Sequence, residues 1–243
     1  MAHGYPDYGL AAALSDLYRV VDFAELSARL GGAGNFDRAG QVIYCDDFSE
    51  GLAWRIAAPA AGPETVVLHV DTGRKRGYMV RAKSNSSGGA ICGMSQGVSL
   101  PVASRVGAEV GFWLDATWQD MELRVLYSVG GVTYGGVFRY LLSGHKLQVA
   151  PSGTSWYDVA TGVDLVTSDY GFRRAKLVID PATGKYVRLI VEGVRYDVSA
   201  HALEVTSGWP NGEIIMSLYY DGPAAVTDAT GYWDEAVVTV NEP

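Results

Sequence analysis

Residues 172–200 read FRRAKLVIDPATGKYVRLIVEGVRYDVSA, and their reading decides the fold. Leu177, Val178 and Ile179 run into Asp180-Pro181-Ala182-Thr183-Gly184. The chemistry of that segment specifies a turn: Pro181 pre-sets φ, Asp180 bonds backbone just ahead of it, and Gly184 accepts positive φ. Tyr186, Val187, Leu189, Ile190 and Val191 make the next strand, and Glu192-Gly193 a second tight turn. Val194, Tyr196 and Val198 then alternate with Arg195 and Asp197. Period-two alternation marks strands with one face in a core and the other in water, so the stretch is a three-strand meander. Its positions left for solvent are Arg173, Lys176, Lys185, Arg188 and Arg195.

The same pattern extends in both directions. Strand-like runs occupy residues 41–48, 65–70, 77–83, 90–100, 109–116, 122–129, 132–142, 147–149, 213–220 and 232–240, with a short candidate at 163–166. Residues 151–171 otherwise read as irregular, and residues 118–120 as a corner. About fourteen short strands with turns roughly every 8–12 residues, and no βαβ alternation, indicate an all-β antiparallel sandwich or jelly roll.

At 243 residues the chain fits one such domain, since all-β sandwiches run to roughly 200–250 residues. The residues preceding position 41 differ. Residues 1–9, MAHGYPDYG, are turn-prone and form a candidate extended arm. Residues 10–21 fit either a helix, through Leu14, Leu17 and Val21, or a strand. Asp22 and Glu25 form a capping box for a short helix at 23–30. Phe23, Leu26 and Leu30 share one face of it, and Gly31-Gly32 stops it. Residues 1–40 are thus an arm and short helix, and residues 41–243 the β-sandwich.

Composition excludes several classes. Hydrophobic content of 48% supplies a core, and a net charge of −8 repels nucleic-acid phosphates. No apolar run approaches the ~18 residues of a membrane span, and the first residues lack a signal peptide's charged and apolar regions. Cys45 and Cys92 both sit in apolar runs and read as buried thiols.

The tests for chemistry are mostly negative. Asp115, Asp120 and Glu122 are the nearest carboxylate cluster, but Asp120 falls at a turn, and the cluster reads as a solvated strand edge. Asp234 and Glu235 are adjacent and so point to opposite faces. Gly93-Met94-Ser95-Gln96-Gly97 matches a nucleophile elbow in spelling only, because no helix pattern follows it. His69, His145 and His201 are scattered, and no histidine or cysteine pair has zinc spacing. No cofactor is expected. Calcium is the one ion admitted, with Asp46, Asp47 and Asp234 as its oxygens. Sugar binding needs exposed rings. Trp113, Trp118, Tyr134, Tyr140, Trp156, Tyr157 and Trp209 supply candidates, and Trp118, Trp156, Tyr157 and Trp209 are carried forward as glycan or partner contacts.

Three segments carry a resemblance. Residues 46–54, DDFSEGLAW, resemble the opening strand of concanavalin A-like (laminin G-like) jelly rolls. Leu177-Val178-Ile179-Asp180-Pro181 with Gly184-Lys185-Tyr186 resembles their mid-domain meander, and residues 232–239, YWDEAVVT, their closing strand, which pairs beside the first. Their glycoside hydrolases carry Glu-x-Asp-x-x-Glu, which is absent here. The leader (MAHGYPDYG, residues 22–31 and Asn35 to Gly40) is similar to leaders of tailed-bacteriophage proteins. That resemblance implies a non-enzymatic virion structural protein, found in the virion and made in the host cytoplasm. A capsid decoration protein is the first reading, and a carbohydrate-binding module or tail-associated adhesin for a host glycan the second. The docking residues are then His3, Tyr5, Pro6, Tyr8, Leu14, Leu17, Phe23, Leu26 and Leu30, and the partners other virion proteins or copies of the chain itself. The alternative is that the arm folds back on its own sandwich.

Overall fold

A computed structural model describes residues 39–48, 51–57, 65–70, 78–83, 91–99, 104–150, 155–166, 171–210, 212–221 and 229–243. The docking residues of the arm and the short helix lie outside these.

The described residues are all-β. The strands are β1 (Gln41–Asp46), β2 (Arg55–Ala57), β3 (Thr65–Val70), β4 (Tyr78–Lys83), β5 (Ile91–Ser99), β6 (Val106–Leu114), β7 (Asp120–Val129) and β8 (Val132–Leu141). Then come β9 (Lys146–Ala150), β10 (Tyr157–Ala160), β11 (Arg173–Asp180), β12 (Lys185–Val191), β13 (Val194–Tyr196), β14 (Glu204–Ser207), β15 (Glu213–Asp221) and β16 (Thr230–Val240). They form two antiparallel sheets. The first runs β13-β12-β11-β6-β16-β4-β3, with β1 also on β16. The second runs β10-β9-β8-β7-β15-β5-β2, with β14 also on β8.

The meander is β11, β12 and β13, as its sequence specified. Asp180 Oδ1 accepts from the Ala182 and Thr183 amides at 2.9 and 3.3 Å, and Gly184 takes φ +64°. Glu192 and Gly193 both adopt positive φ, the requirement of a two-residue hairpin turn whose twist matches its strands. The first and last strands of the domain pair, with Cys45 opposite Val237.

The core lies between the sheets. Ala175, Leu177 and Ile179 of β11 and Val106, Ala108, Val110 and Phe112 of β6 face Met121, Leu123, Val125, Ile214, Met216 and Leu218 of the second sheet, all buried. Tyr186 crosses between the layers. Its hydroxyl receives the Val137 amide at 2.8 Å and bonds the Val137 and Ala150 carbonyls. Tyr220 stacks on Trp233 at 4.6 Å and packs tilted against Trp118 at 5.1 Å.

Several expectations are corrected. Lys176 and Arg188 are buried rather than solvated, because Glu242 folds onto the outer side of the first sheet. Lys176 Nζ lies 2.8 Å from Glu242, and Arg188 pairs with its other oxygen. Glu235 is a bulge residue with φ +51°, which breaks strict alternation and turns its carboxylate onto buried Arg174. Neither cysteine forms a disulfide, but Cys45 is exposed. Residues 163–166 form no strand, whereas β10 arises where the sequence read as irregular, and β14 lies in a stretch to which the sequence reading gave no element.

Candidate functional site

Alternation along β7 divides its side chains. Met121, Leu123, Val125 and Tyr127 enter the core, so Asp120, Glu122, Arg124, Leu126 and Ser128 face outward from the second sheet. Asp120 is therefore the first residue of a central strand and shares its outward face with Glu122. The expected turn at Asp120 ends one residue earlier, where the Gln119 amide bonds Asp221 O at 2.8 Å and the strand begins.

Antiparallel register extends this face sideways. Tyr219 stands beside Glu122, Glu122 beside Arg139, Arg139 beside Gln148, and Gln148 beside Asp158. One polar row thus crosses five strands, roughly 19 Å at the usual strand spacing. Glu122 accepts from Arg124 Nε at 2.7 Å, and the Arg124 guanidinium lies 4.5 Å over the Tyr219 ring. Arg139 donates through Nε and Nη2 to Gln148 Oε1 at 3.0 and 2.7 Å, and reaches Asp120 at 3.4 Å. Its guanidinium lies 3.7 Å over the Trp156 ring. Asp158 accepts from Lys146 at 2.7 Å and from Gln148. Two guanidinium–aromatic stacks therefore flank the two carboxylates.

The carboxylates differ in environment. Asp120 is 1% exposed, and its Oδ1 has no hydrogen-bond partner. Burial pushes its pKa up to about 7, with Glu122 and Asp221 adding to the rise and Arg139 and a hydrogen bond from the Gln119 side chain opposing it. Asp120 thus holds a proton near neutrality, whereas Glu122 has a cation bonded to it. Paired carboxyls in unlike environments are the arrangement that acid–base chemistry needs.

The other candidates divide by location. Trp156 joins the polar row. Tyr157 is 45% exposed at the edge and stacks on His201 at 4.7 Å. Trp209 is 66% exposed, beside the β7–β8 turn, where its carbonyl accepts from the Gly131 amide. Trp118 is buried against Tyr220 and offers nothing to a ligand, a correction that follows from the core stack. Trp113 and Tyr140 are also buried, and Tyr134 is partly buried against the core. Gly93 to Gly97 lie inside continuous β5, so Ser95 is not on an elbow. Asp46 accepts from Tyr44, the Phe48 amide and Trp54 Nε1, a structural use of its oxygens. Among the described residues no group of three or more His, Cys, Asp or Glu could hold a metal ion.

No protein-family model matches the chain, and no curated protein matches it. Solved structures do. The chain is similar to the endo-β-1,4-glucuronan lyase of the fungus Trichoderma reesei at 10% identity and a TM-score of 0.52, over 82% of this chain and 96% of that one. It is similar to the conserved carbohydrate esterase of the Shiga toxin-encoding bacteriophage phi24B at 12% identity and a TM-score of 0.54, over 84% and 100%. A prokaryotic β-1,3-1,4-glucanase from a mouse hindgut metagenome matches at 12% identity and 0.49, over 81% and 98%.

The fold is a concanavalin A-like jelly roll. At these identities the likeness establishes the fold alone. One expectation is corrected: the chain was expected to be non-enzymatic, but solved structures that share its fold include a glucuronan lyase and a carbohydrate esterase. The missing Glu-x-Asp-x-x-Glu spelling excluded one arrangement of carboxylates, not the Asp120–Glu122 pair.

Proposed function

We propose that the outward face of the second sheet is a glycan site, and that Asp120 and Glu122 are its acid and base. Asp120 carries the reading: a buried carboxyl with an unpartnered oxygen, protonated near neutrality, two residues from an arginine-held carboxylate. Its proton passes to the leaving oxygen as the glycosidic C–O bond breaks. Glu122, bonded by Arg124, takes the proton of the water whose oxygen forms the new bond to the anomeric carbon. Trp156 and Tyr219 offer ring surface to sugar C–H groups on either side.

The test is release of reducing ends from a panel of soluble polysaccharides by the full chain, Asp120→Asn and Glu122→Gln. Loss of turnover by ~100-fold or more in both variants supports the assignment. Variants as active as the parent, or no release by the parent from any polymer, would overturn the catalytic part.

A second reading concerns placement. The leader resemblance, and the bacteriophage source of an esterase sharing the fold, support a virion component docked through residues 1–40 to capsid or tail proteins. It is a decoration protein or an adhesin, with the glycan face directed at the host. Deleting residues 1–40 is expected to abolish association with particles; undiminished association would sink this placement.

A further inference from the structure

A second row lies beside the first. Arg55 of β2 is opposite Ser95 of β5, Ser95 is opposite Ser217 of β15, and Ser217 is opposite Arg124 of β7. Directly paired antiparallel residues project to the same side of a sheet. Met216 and Leu218 enter the core, so Ser217, and with it the whole row, faces outward. The order across four adjacent strands is cation, hydroxyl, hydroxyl, cation. The two arginine backbones are about 14 Å apart at ordinary strand spacing, and the floor between them is short-chained.

The arginines are not equivalent. Arg55 is exposed. Arg124 directs Nε and Nη2 at one oxygen of Glu122, which leaves its Nη1 edge, and its ring contact with Tyr219 fixes the guanidinium plane. A planar, oriented guanidinium matches a carboxylate through paired N–H donors, and the half-buried Ser95 hydroxyl supplies a further donor, while Ser217 is buried. A neutral hexose can accept hydrogen bonds from these guanidinium groups but gains nothing from their charge, whereas a carboxylate gains both.

We propose that the Arg55–Ser95–Ser217–Arg124 row binds the carboxylate of an acidic sugar, so that the glycan taken by this face is a uronate-containing polysaccharide. The inference rests on the glycan reading and deepens it. The uronate carboxylate lies between the two arginines, and its ring runs towards Tyr219 and Glu122 in the neighbouring row. The chain's overall charge of −8 repels a polyanion at long range, so the attraction is local to this row and screened by salt.

The experiment measures affinity of the full chain for polyglucuronate, polygalacturonate and alginate, each beside its carboxyl-reduced counterpart, in low and high salt. The acidic forms are expected to bind about tenfold tighter or more, the worth of one charge-assisted contact. Arg55→Gln is expected to remove most of that preference. Equal binding of acidic and reduced polymers overturns the uronate inference and leaves the glycan site standing. Binding to neither form of any polymer overturns the glycan reading itself. An acid preference that survives in Arg55→Gln overturns the assignment to this row.

Discussion

The Arg139 guanidinium lies 3.7 Å above the Trp156 ring while two of its nitrogens hold Gln148. This stack ties β10 to the middle of the second sheet and sets a positive charge beside Asp120. Arg139→Lys keeps the charge but loses the planar fork and the stacked face. It is expected to destabilise the domain by about 1–2 kcal/mol in chemical denaturation and to change Trp156 fluorescence. Unaltered stability and emission would show that the stack contributes nothing.

Asp120 predicts a pH dependence of stability. Its pKa is raised in the folded chain, from 3.8 to about 7, so between these values the folded state holds more protons than the unfolded one. Stability therefore falls as pH rises through that interval and levels above about 7. Asp120→Asn cannot ionise and should lose this component, so its melting temperature relative to the parent should rise between pH 5 and pH 8. A constant difference across that range would contradict the assignment.

Glu242 neutralises two buried cations at once. Glu242→Gln removes a carboxylate shared by buried Lys176 and Arg188, at a cost of about 3–5 kcal/mol. Denaturant titration checks this. A change below about 1 kcal/mol would mean that the cluster is hydrated rather than sealed.

The tryptophans separate core from surface. Trp118→Ala removes a buried ring packed against Tyr220 and should cost about 3–5 kcal/mol. Trp209→Ala should stay within about 0.5 kcal/mol of the parent, because its ring is exposed. Thermal melts of the two variants decide the ranking, and a reversed order would contradict the fold described.

The architecture was legible because turn chemistry and alternation are local. Asp180, Pro181, Gly184 and the Glu192-Gly193 pair specify their hairpins without help from distant residues. The site was less legible. Glu122, Arg139 and Gln148 become neighbours only through register, which joins residues far apart in sequence. Asp120 was misread because the boundary between corner and strand depends on the Gln119–Asp221 pairing across the sheet. Lys176 and Arg188 look like solvent-facing positions in any alternation argument. Only the return of Glu242 to that face buries them. Trp118 gave no sign of its packing against Tyr220, whereas Trp156 and Tyr157 were recoverable as aromatics in a stretch read as irregular.

The most direct test of the glycan face is a chemical-shift titration of isotope-labelled protein with oligosaccharides cut from the acidic and carboxyl-reduced polymers named above. Shifts are expected to concentrate on Tyr219, Glu122, Arg124, Arg139, Gln148 and Trp156. Shifts confined to the outer side of the first sheet or to the edge around Val205 and Trp209, or no shifts at all, would contradict it.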